Sequence, residues 1–152
     1  MSLKFLFICT GNTCRSPMAE GLARVMFGDS VRVGSAGLEA CDGDGANAYA
    51  LEALKEQNID LSRHRSRRIR AELMANADWI IPMTQAHEAN LRSLFPQHAQ
   101  KTRYLGDWGD RKRDILDPWN GSLDDYRQTA HKIRELLNDL GDHLIIPSVP
   151  KI

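Results

Sequence analysis

A cysteine and an arginine are separated by five residues near the start of the chain, in the segment Cys9-Thr10-Gly11-Asn12-Thr13-Cys14-Arg15-Ser16. A short loop of this kind can direct successive backbone N–H groups at an anion, and a helix that begins at its end adds a favourable dipole. Arg15 can hold two phosphate oxygens in a planar, bidentate arrangement. A cysteine at the floor of such a loop is stabilised as the thiolate, its nucleophilic form. The segment therefore predicts a phosphate-binding loop in which Cys9 attacks phosphorus.

Two more residues of this segment suit the same chemistry. Gly11 relieves steric crowding where the loop bends, and Ser16 can donate a hydrogen bond to the Cys9 thiolate, which favours its departure from a phosphorylated intermediate. A cysteine and an arginine at this spacing also arise by chance, as a buried strand-end cysteine beside a helix-start arginine. The preceding strand and the following serine and proline, all in register, favour the phosphate loop.

Hydrolysis of a phosphate ester also requires a proton for the leaving atom, supplied by a group held close to it. The segment 106–121 contains four candidates, which are Asp107, Asp110, Asp114 and Asp117. Composition does not choose among them. Asp117 precedes a proline, which restricts it to extended geometry and would fix its direction. For Asp107 and Asp110 we prefer the interpretation of a solvated acidic loop.

The elements that must position these residues alternate between strand and helix. Buried strands are predicted at Leu3–Ile8, Val31–Val33, Trp79–Ile81 and Thr102–Leu105. Helices are predicted at Pro17–Phe27, Ala46–Gln57, Ala71–Asn76, from the N-cap Thr84 to Leu94, and at Leu123–Leu140. Alternation of this kind favours parallel pairing with helices on both faces. We therefore expect one domain over residues 1–152, with a three-layer αβα fold, a four-stranded parallel sheet and an N-terminal phosphate-binding loop.

The charge balance and the cysteine content exclude several classes of protein. The 152 residues include 20 Lys and Arg against 20 Asp and Glu, so the formal net charge is zero. Proteins that bind nucleic acid generally carry a basic excess, because phosphate neutralisation supplies most of their affinity. Three cysteines are too few for a disulfide scaffold and favour a reducing compartment. There is no apolar run near the ~20 residues of a membrane span and no signal-peptide pattern. We therefore expect a cytoplasmic protein without nucleic-acid or membrane partners.

Cys9 to Ser16, continued by Pro17-Met18-Ala19-Glu20, resemble the signature of the low-molecular-weight protein tyrosine phosphatases. Further motifs follow in the family's order, namely Ser35-Ala36-Gly37, His64 with Arg65–Arg68, Met83-Thr84 and Asp117-Pro118. The resemblance implies a phosphatase without metal or cofactor. In it, Cys9 forms a phosphocysteine, and Asp117 protonates the leaving group and then activates water. It further implies a phosphorylated protein or peptide as substrate, and a monomer or weak dimer.

The resemblance also implies supporting roles for other residues. Asn12, Ser16, Ser35 and His64 match positions that hold the phosphate loop through hydrogen bonds. Cys14 matches a cysteine that can form a reversible disulfide with the nucleophile Cys9 and so protect it from over-oxidation; the alternative is a small residue that packs the loop.

The resemblance implies a substrate pocket that includes Thr13, Cys41 and Trp119, although neutral variation at Thr13 is an open alternative and one residue does not decide the substrate. Tyrosine phosphatases of this family usually carry isoleucine in place of Thr13, whereas related bacterial protein arginine phosphatases resemble this chain in carrying threonine. Cys41 stands where the family often has an aromatic residue, and Trp119 can stack on either an aryl ring or a guanidinium. We expect phosphotyrosine as substrate, with phosphoarginine as the alternative.

Two other functions are compatible with parts of this pattern, reduction of arsenate and binding of phosphoproteins without catalysis. Thioredoxin-coupled arsenate reductases have a similar loop but need two more cysteines near the end of the third strand, and residues 79–95 contain none. A phosphoprotein-binding module without activity is disfavoured because Cys9, Arg15 and Asp117 are all present.

Five arginines near His64 form either a patch that steers anionic substrates or a solvated surface; they are Arg63, Arg65, Arg67, Arg68 and Arg70.

Overall fold

The computed structural model describes residues 2–149, in which strands and helices alternate as the sequence predicts. The strands are β1 (Leu3–Cys9), β2 (Val31–Gly37) and β3 (Trp79–Pro82). The α-helices are α1 (Arg15–Phe27), α2 (Ala48–Lys55), α3 (Ala71–Asn76), α4 (Gln85–Leu94) and α5 (Leu123–Leu144). Short 3₁₀ turns occupy Gly28–Ser30, Pro96–Lys101 and Leu105–Asp107. None of the helices within this described range is long and apolar enough to cross a bilayer.

The sheet has three parallel strands in the order β2-β1-β3, so the prediction of a fourth strand at Thr102–Leu105 is wrong. Pairing there is limited to one bridge, between Ile80 and Thr102. Arg103 N donates to Ile80 O at 3.0 Å. Because successive N–H groups of an extended strand point to opposite sides, the next ladder donor would be Leu105 N. The chain enters a 3₁₀ turn at Leu105, which ends the ladder after one bridge.

The alternation of side chains along β1 builds two cores, one on each face of the sheet. Phe5, Phe7 and Cys9 face a cluster that includes residues of α1, α2 and α5. Leu6 and Ile8 face a second cluster that includes Met74 of α3 and Leu91 of α4. Every residue of β1 from Phe5 onward is buried, as expected for the central strand of a parallel sheet. The helices therefore lie on both faces, which gives the three layers.

Two boundaries near the phosphate loop differ from the prediction. Strand β2 does not close after Val33 but continues to Gly37, because residues 35–37 remain in register with residues 7–9 of β1. Helix α1 begins at Arg15 rather than at Pro17. Both differences lengthen regular structure toward the loop, so that only residues 10–14 connect β1 to α1.

Gly37 is required at the end of β2 because the phosphate loop passes directly against it. A Cβ atom there would lie 2.6 Å from Thr10 O and 3.0 Å from Asn12 N, both backbone atoms that cannot move independently. We expect Gly37→Ala to destabilise the protein by about 1–3 kcal/mol, the usual cost of overpacking, measured by urea unfolding. Gly45→Ala is the matched control, since its nearest neighbour, Arg65 Nη1, would lie 3.9 Å away. Equal effects of the two substitutions would contradict this account.

Candidate active site

The candidate site lies at the carboxyl end of β1, the central strand, where open parallel sheets commonly form their binding crevices. Cys9 is the last residue of β1, and Arg15 is the first residue of α1. The loop between them is therefore held at both ends by regular structure. Cys9 and Arg15 are 2% and 6% exposed, so the sulfur and the guanidinium are both largely removed from bulk water.

Two donors surround the Cys9 sulfur. The backbone N–H of Asn12 donates to Cys9 Sγ at 3.3 Å, and Ser16 Oγ lies 2.9 Å from the same sulfur. Both contacts place a polar hydrogen atom within reach of the sulfur. The second is also the contact that the sequence motif predicted for Ser16.

Asn12 is the centre of the network that surrounds the loop. It is fully buried, and its backbone has a φ of 57°, in the left-handed region that asparagine tolerates better than most residues. Its Oδ1 accepts from Arg67 N at 3.0 Å, and its carbonyl lies 2.7 Å from His64 Nε2. Its Nδ2 donates to Ser16 Oγ at 2.8 Å and to Ser35 Oγ at 2.9 Å. The structure thus brings Asn12, Ser16, Ser35 and His64 together.

The hydrogen bonds of this network have a defined direction. Since Asn12 Oδ1 accepts from a backbone N–H, Asn12 Nδ2 must face the two serines, which act as acceptors. Ser35 gives its own proton to Glu20 Oε1 at 2.7 Å. Ser16 therefore has its hydroxyl proton free to donate to the Cys9 sulfur, 2.9 Å away.

Arg15 connects the phosphate loop to the acid loop, which we define as residues 114–118. Arg15 Nη1 donates to Ile115 O at 3.0 Å, and Nη2 lies 3.7 Å from Asp117 Oδ2. The other carboxylate oxygen, Asp117 Oδ1, accepts from Trp119 N at 3.0 Å, a turn that spans Pro118. The Asp117 side chain is 50% exposed, so it is open to solvent while held beside the arginine.

Two of the three remaining aspartates, Asp107 and Asp114, have other partners. Asp107 pairs with Arg103 at 3.0 Å and with Lys112 at 2.8 Å. Asp114 Oδ1 accepts from Gln85 N at the start of α4, at 2.9 Å. Asp110 is exposed. Of the four candidates, Asp117 is the one whose carboxylate lies beside Arg15.

Cys14 lies inside the same loop but in a different environment from Cys9. Its sulfur is 3.5 Å from Tyr126 Oη, and Tyr126 is 1% exposed. Burial raises the pKa of the Cys14 thiol, against a smaller opposing effect of the Tyr126 hydroxyl. Burial and the contact with Cys14 also raise the pKa of Tyr126. Cys9, Cys14 and Cys41 are all free cysteines.

The three predicted pocket residues are not equally close to the loop. Thr13 is half-buried in it, and its carbonyl accepts from Asn47 N at 2.8 Å, which connects the loop to the N-cap of α2. Trp119 follows the acid loop and is 67% exposed. The Cys41 side chain is exposed, and within residues 2–149 its sulfur makes no hydrogen bond to the phosphate loop; its carbonyl accepts from the Ser66 hydroxyl. The structure thus joins Thr13 to the site but not Cys41.

The arginine cluster contacts the loop through the backbone N–H of Arg67, which donates to Asn12 Oδ1. Its side chains divide into two groups, those with structural contacts and those that are exposed. Arg67 Nε donates to Ser35 O at 2.9 Å, and Arg70 pairs with Asp42 at 2.9 Å. Within the described range, Arg63 and Arg68 are exposed and make no ion pair. The cluster therefore combines structural arginines with a positive surface next to the site.

Sequence reasoning missed the roles of three residues, namely His87 and Tyr126, which contact the loop, and Glu20, which accepts from Ser35 of the surrounding network. Glu20 follows Ser16 by four residues on α1, the spacing of one helix face, so its proximity to the network had a signal. His87 follows the N-cap Thr84 by three residues, which indicates the first turn of α4 but not what the ring contacts. Tyr126 carried no signal beyond a buried position on α5.

Known proteins of similar sequence include phosphatases and also Arsenate reductase 1 of Staphylococcus epidermidis, which is 39% identical over 133 residues, 84% of this chain and 95% of that one. Residues 4–145 match the family model described as low molecular weight phosphotyrosine protein phosphatase. The protein-arginine-phosphatase of Bacillus subtilis is 40% identical over 146 residues, 93% of this chain and 97% of that one. The low molecular weight protein-tyrosine-phosphatase PtpB of Staphylococcus haemolyticus is 36% identical over 141 residues, 91% of this chain and 97% of that one. A crystal structure of a YwlE mutant from Bacillus subtilis matches with a TM-score of 0.90 at 39% identity, covering 95% of this chain and 99% of that one.

The buried Cys14–Tyr126 pair predicts a loss of stability at alkaline pH. Both groups have a raised pKa in the folded protein, so their contribution is complete below the unfolded-state values of about 8.5 for Cys and about 10 for Tyr and falls above them. We expect Tyr126→Phe to flatten the decline in the free energy of unfolding between about pH 10 and 11, by up to about 1.4 kcal/mol per pH unit. Urea unfolding at several pH values measures this.

The control for this experiment is Tyr49→Phe, because Tyr49 packs edge-on against Tyr126 at 5.7 Å between ring centroids but is 46% exposed. Tyr49→Phe should keep the wild-type slope. A slope unchanged by Tyr126→Phe would show that the pair does not couple folding to alkaline titration.

Proposed function

We propose, from the premise that this chain belongs to the low molecular weight phosphotyrosine protein phosphatase family, that it hydrolyses phosphotyrosine on proteins through a phosphocysteine intermediate on Cys9. The family membership that the motifs predicted is confirmed, and the chain is a phosphoric monoester hydrolase. The observation that carries the proposal is the contact of Arg15 with the acid loop, made from the end of the loop that begins at Cys9.

In the first step, the Cys9 thiolate attacks phosphorus, a sulfur–phosphorus bond forms and the bond to the phenolic oxygen breaks. Asp117 gives its proton to that oxygen, so the leaving group departs as a neutral phenol. Arg15 and the loop N–H groups stabilise the charge on the equatorial oxygens of the transition state. The position of Asp117 beside Arg15, at 3.7 Å, supports this assignment.

In the second step, water attacks phosphorus and the sulfur–phosphorus bond breaks. Asp117, now a carboxylate, takes a proton from that water, which restores the acid for the next cycle. The departing thiolate receives the hydrogen bonds of Ser16 and of Asn12 N–H, at 2.9 and 3.3 Å from Cys9 Sγ. All proton transfers are made by side chains of this chain, so the mechanism calls for no metal.

The partner is a phosphorylated protein or peptide. Trp119, which is exposed beside Asp117, offers a flat surface for the ring or guanidinium of the modified residue. The exposed arginines Arg63 and Arg68 add positive charge next to the site, which favours approach of an anionic substrate. We propose no nucleic-acid or membrane partner, and a monomer or weak dimer.

We retain the Cys9–Cys14 disulfide as a proposal for oxidising conditions. If an oxidant converts the Cys9 thiolate to a sulfenic acid, the Cys14 thiol can attack that sulfur and release water, which closes the disulfide. The raised pKa of Cys14 keeps it as a thiol during normal turnover, so it does not compete with Cys9 as nucleophile.

Phosphoarginine is the second candidate substrate, and Thr13 is the observation that favours it. Its side chain is half-buried in the loop, where a polar group can support a water molecule or a guanidinium, whereas isoleucine would pack an aryl ring. The 40% identical relative from Bacillus subtilis is named protein-arginine-phosphatase. Arsenate reduction, in contrast, requires two further cysteines to relay a disulfide. Beyond Cys9 and Cys14 this chain has one, the exposed Cys41.

The mechanism is tested with aryl phosphates of different leaving-group pKa in the presence of a chelator. We expect Cys9→Ser to reduce kcat by at least about 10³-fold, as for other nucleophiles. Asp117→Asn should reduce kcat by about 10²–10⁴-fold for phosphotyrosine but much less for p-nitrophenyl phosphate, whose leaving group needs no proton. Asp110→Asn is the control and should behave as wild type. Turnover that survives Cys9→Ser, or that is abolished by the chelator, would refute the mechanism.

Substrate choice is tested by comparing phosphotyrosine and phosphoarginine peptides of one sequence before and after Thr13→Ile. We expect the ratio of kcat/KM values to move toward phosphotyrosine by about tenfold. Isoleucine replaces the hydroxyl, which can serve a guanidinium, by an ethyl group that packs on an aryl ring. Turnover of p-nitrophenyl phosphate within a fewfold of wild type shows that the loop is intact. An unchanged ratio would remove Thr13 from the control of specificity.

A further inference from the structure

His87 contacts the phosphate loop at the residue that follows the nucleophile. Its Nε2 lies 2.9 Å from Thr10 Oγ1, and the residue is 9% exposed. Burial and the positive charge of Arg15 lower the pKa of His87 to about 4, against the smaller opposing effect of Asp114 and Asp117. The ring is therefore neutral near pH 7, and its contact with Thr10 is a hydrogen bond between two neutral groups.

The other ring nitrogen argues against a role in stability alone. His87 Nδ1 is buried and has no hydrogen-bond partner within residues 2–149. A neutral imidazole presents one N–H and one lone pair, so either tautomer leaves one of them unsatisfied here. Such an atom costs about 1–3 kcal/mol, whereas leucine or methionine would bury a similar volume without that cost. What the histidine supplies, and an apolar residue cannot, is the hydrogen bond to Thr10.

The position of the His87 ring is fixed by the start of α4. Thr84 Oγ1 accepts from His87 N at 3.0 Å and caps the helix. In the same turn, Gln85 N donates to the Asp114 carboxylate at 2.9 Å. The first turn of α4 therefore contacts the phosphate loop through a side chain and the acid loop through a backbone amide.

These contacts form a closed ring of hydrogen-bonded segments around the site. Thr10 connects the phosphate loop to α4 through His87, and Asp114 connects α4 to the acid loop. Ile115 O then accepts from Arg15, which returns to the phosphate loop at its other end. Such a ring fixes the distance between the phosphate loop and the acid loop, because neither loop can shift without breaking its hydrogen bond to α4.

Thr10 is held from two sides. Its carbonyl accepts from Glu39 N at 2.9 Å, and its hydroxyl meets His87. Together these contacts orient the peptide planes on either side of Thr10, next to Cys9. We propose that His87 is a positioning residue that acts through the Thr10 hydroxyl to hold the phosphate loop in its anion-binding shape and in register with the acid loop. This inference rests on the proposed function only in taking a phosphate as the ligand.

The test uses the affinity of the full chain for inorganic phosphate, measured by calorimetry, which does not depend on turnover. We expect His87→Asn and Thr10→Val each to weaken binding about three- to tenfold, the range of one neutral hydrogen bond. The double variant should be no weaker than either single one, since both remove the same bond. His87→Gln should restore affinity to within twofold, because its terminal amide reaches the place of Nε2, whereas that of asparagine reaches only the place of Nδ1.

The control is His131→Gln on α5, whose side chain is 73% exposed; it should bind phosphate as wild type does. If His87 had a merely structural role, His87→Gln and His87→Asn would lower the melting temperature equally. The losses of phosphate affinity caused by His87→Asn and Thr10→Val would then multiply in the double variant. Either result would overturn the proposal. If His87→Asn does not fold, Thr10→Val decides, and unchanged phosphate affinity in that variant overturns it. Wild-type protein that binds phosphate without turnover would refute the proposed function and leave this test intact.

Discussion

The carboxamide of Asn12 is the group on which the candidate site depends. It is fully buried and makes three hydrogen bonds, to Arg67 N, Ser16 Oγ and Ser35 Oγ. A neutral hydrogen bond contributes about 1 kcal/mol, but a buried partner left unsatisfied costs about 1–3 kcal/mol. The network thus stabilises the left-handed backbone of Asn12, with its φ of 57°, and the N–H of this same residue donates to the Cys9 sulfur. The network of Asn12 therefore determines both the shape of the loop and the hydrogen bonding of Cys9, the proposed nucleophile.

The fold supplies the partners of this carboxamide from separate parts of the chain. In the parallel register, Ser35 of β2 pairs with Phe7 of β1, and Phe7 lies two residues before Cys9. Arg67 is adjacent to Arg68, which forms a bridge with Gly37 at the end of β2. Ser16 comes from the first turn of α1. Because three elements converge at one edge of the sheet, the loop is held without contributing a long hydrophobic segment of its own.

The sequence predicted the parts of this arrangement that have a local pattern. Buried strand runs, the loop from Cys9 to Ser16 and the restricted Asp117-Pro118 pair were all recognisable. The fourth strand was predicted wrongly because the pattern of Thr102–Leu105 does not reveal the 3₁₀ turn that begins at Leu105 and limits pairing to one bridge. The donor from Arg67 is a backbone N–H, which any residue but proline provides, so no side-chain pattern could identify it. Cys41 was assigned to the pocket from the family resemblance alone, with no neighbouring residue pattern to support it, and its side chain is exposed.

The charge at the site explains how a chain of zero net charge can bind an anion. Arg15 is 6% exposed, and its contacts are a carbonyl at 3.0 Å and a loosely placed carboxylate at 3.7 Å. Neither is a bidentate ion pair, so the guanidinium retains donors for phosphate oxygens. A phosphate held by these donors would also lie close to Asp117, whose carboxylate is 3.7 Å from Arg15 Nη2. The group that binds the anion and the carboxylate proposed as proton donor are therefore held at one place, although the chain as a whole carries no net charge.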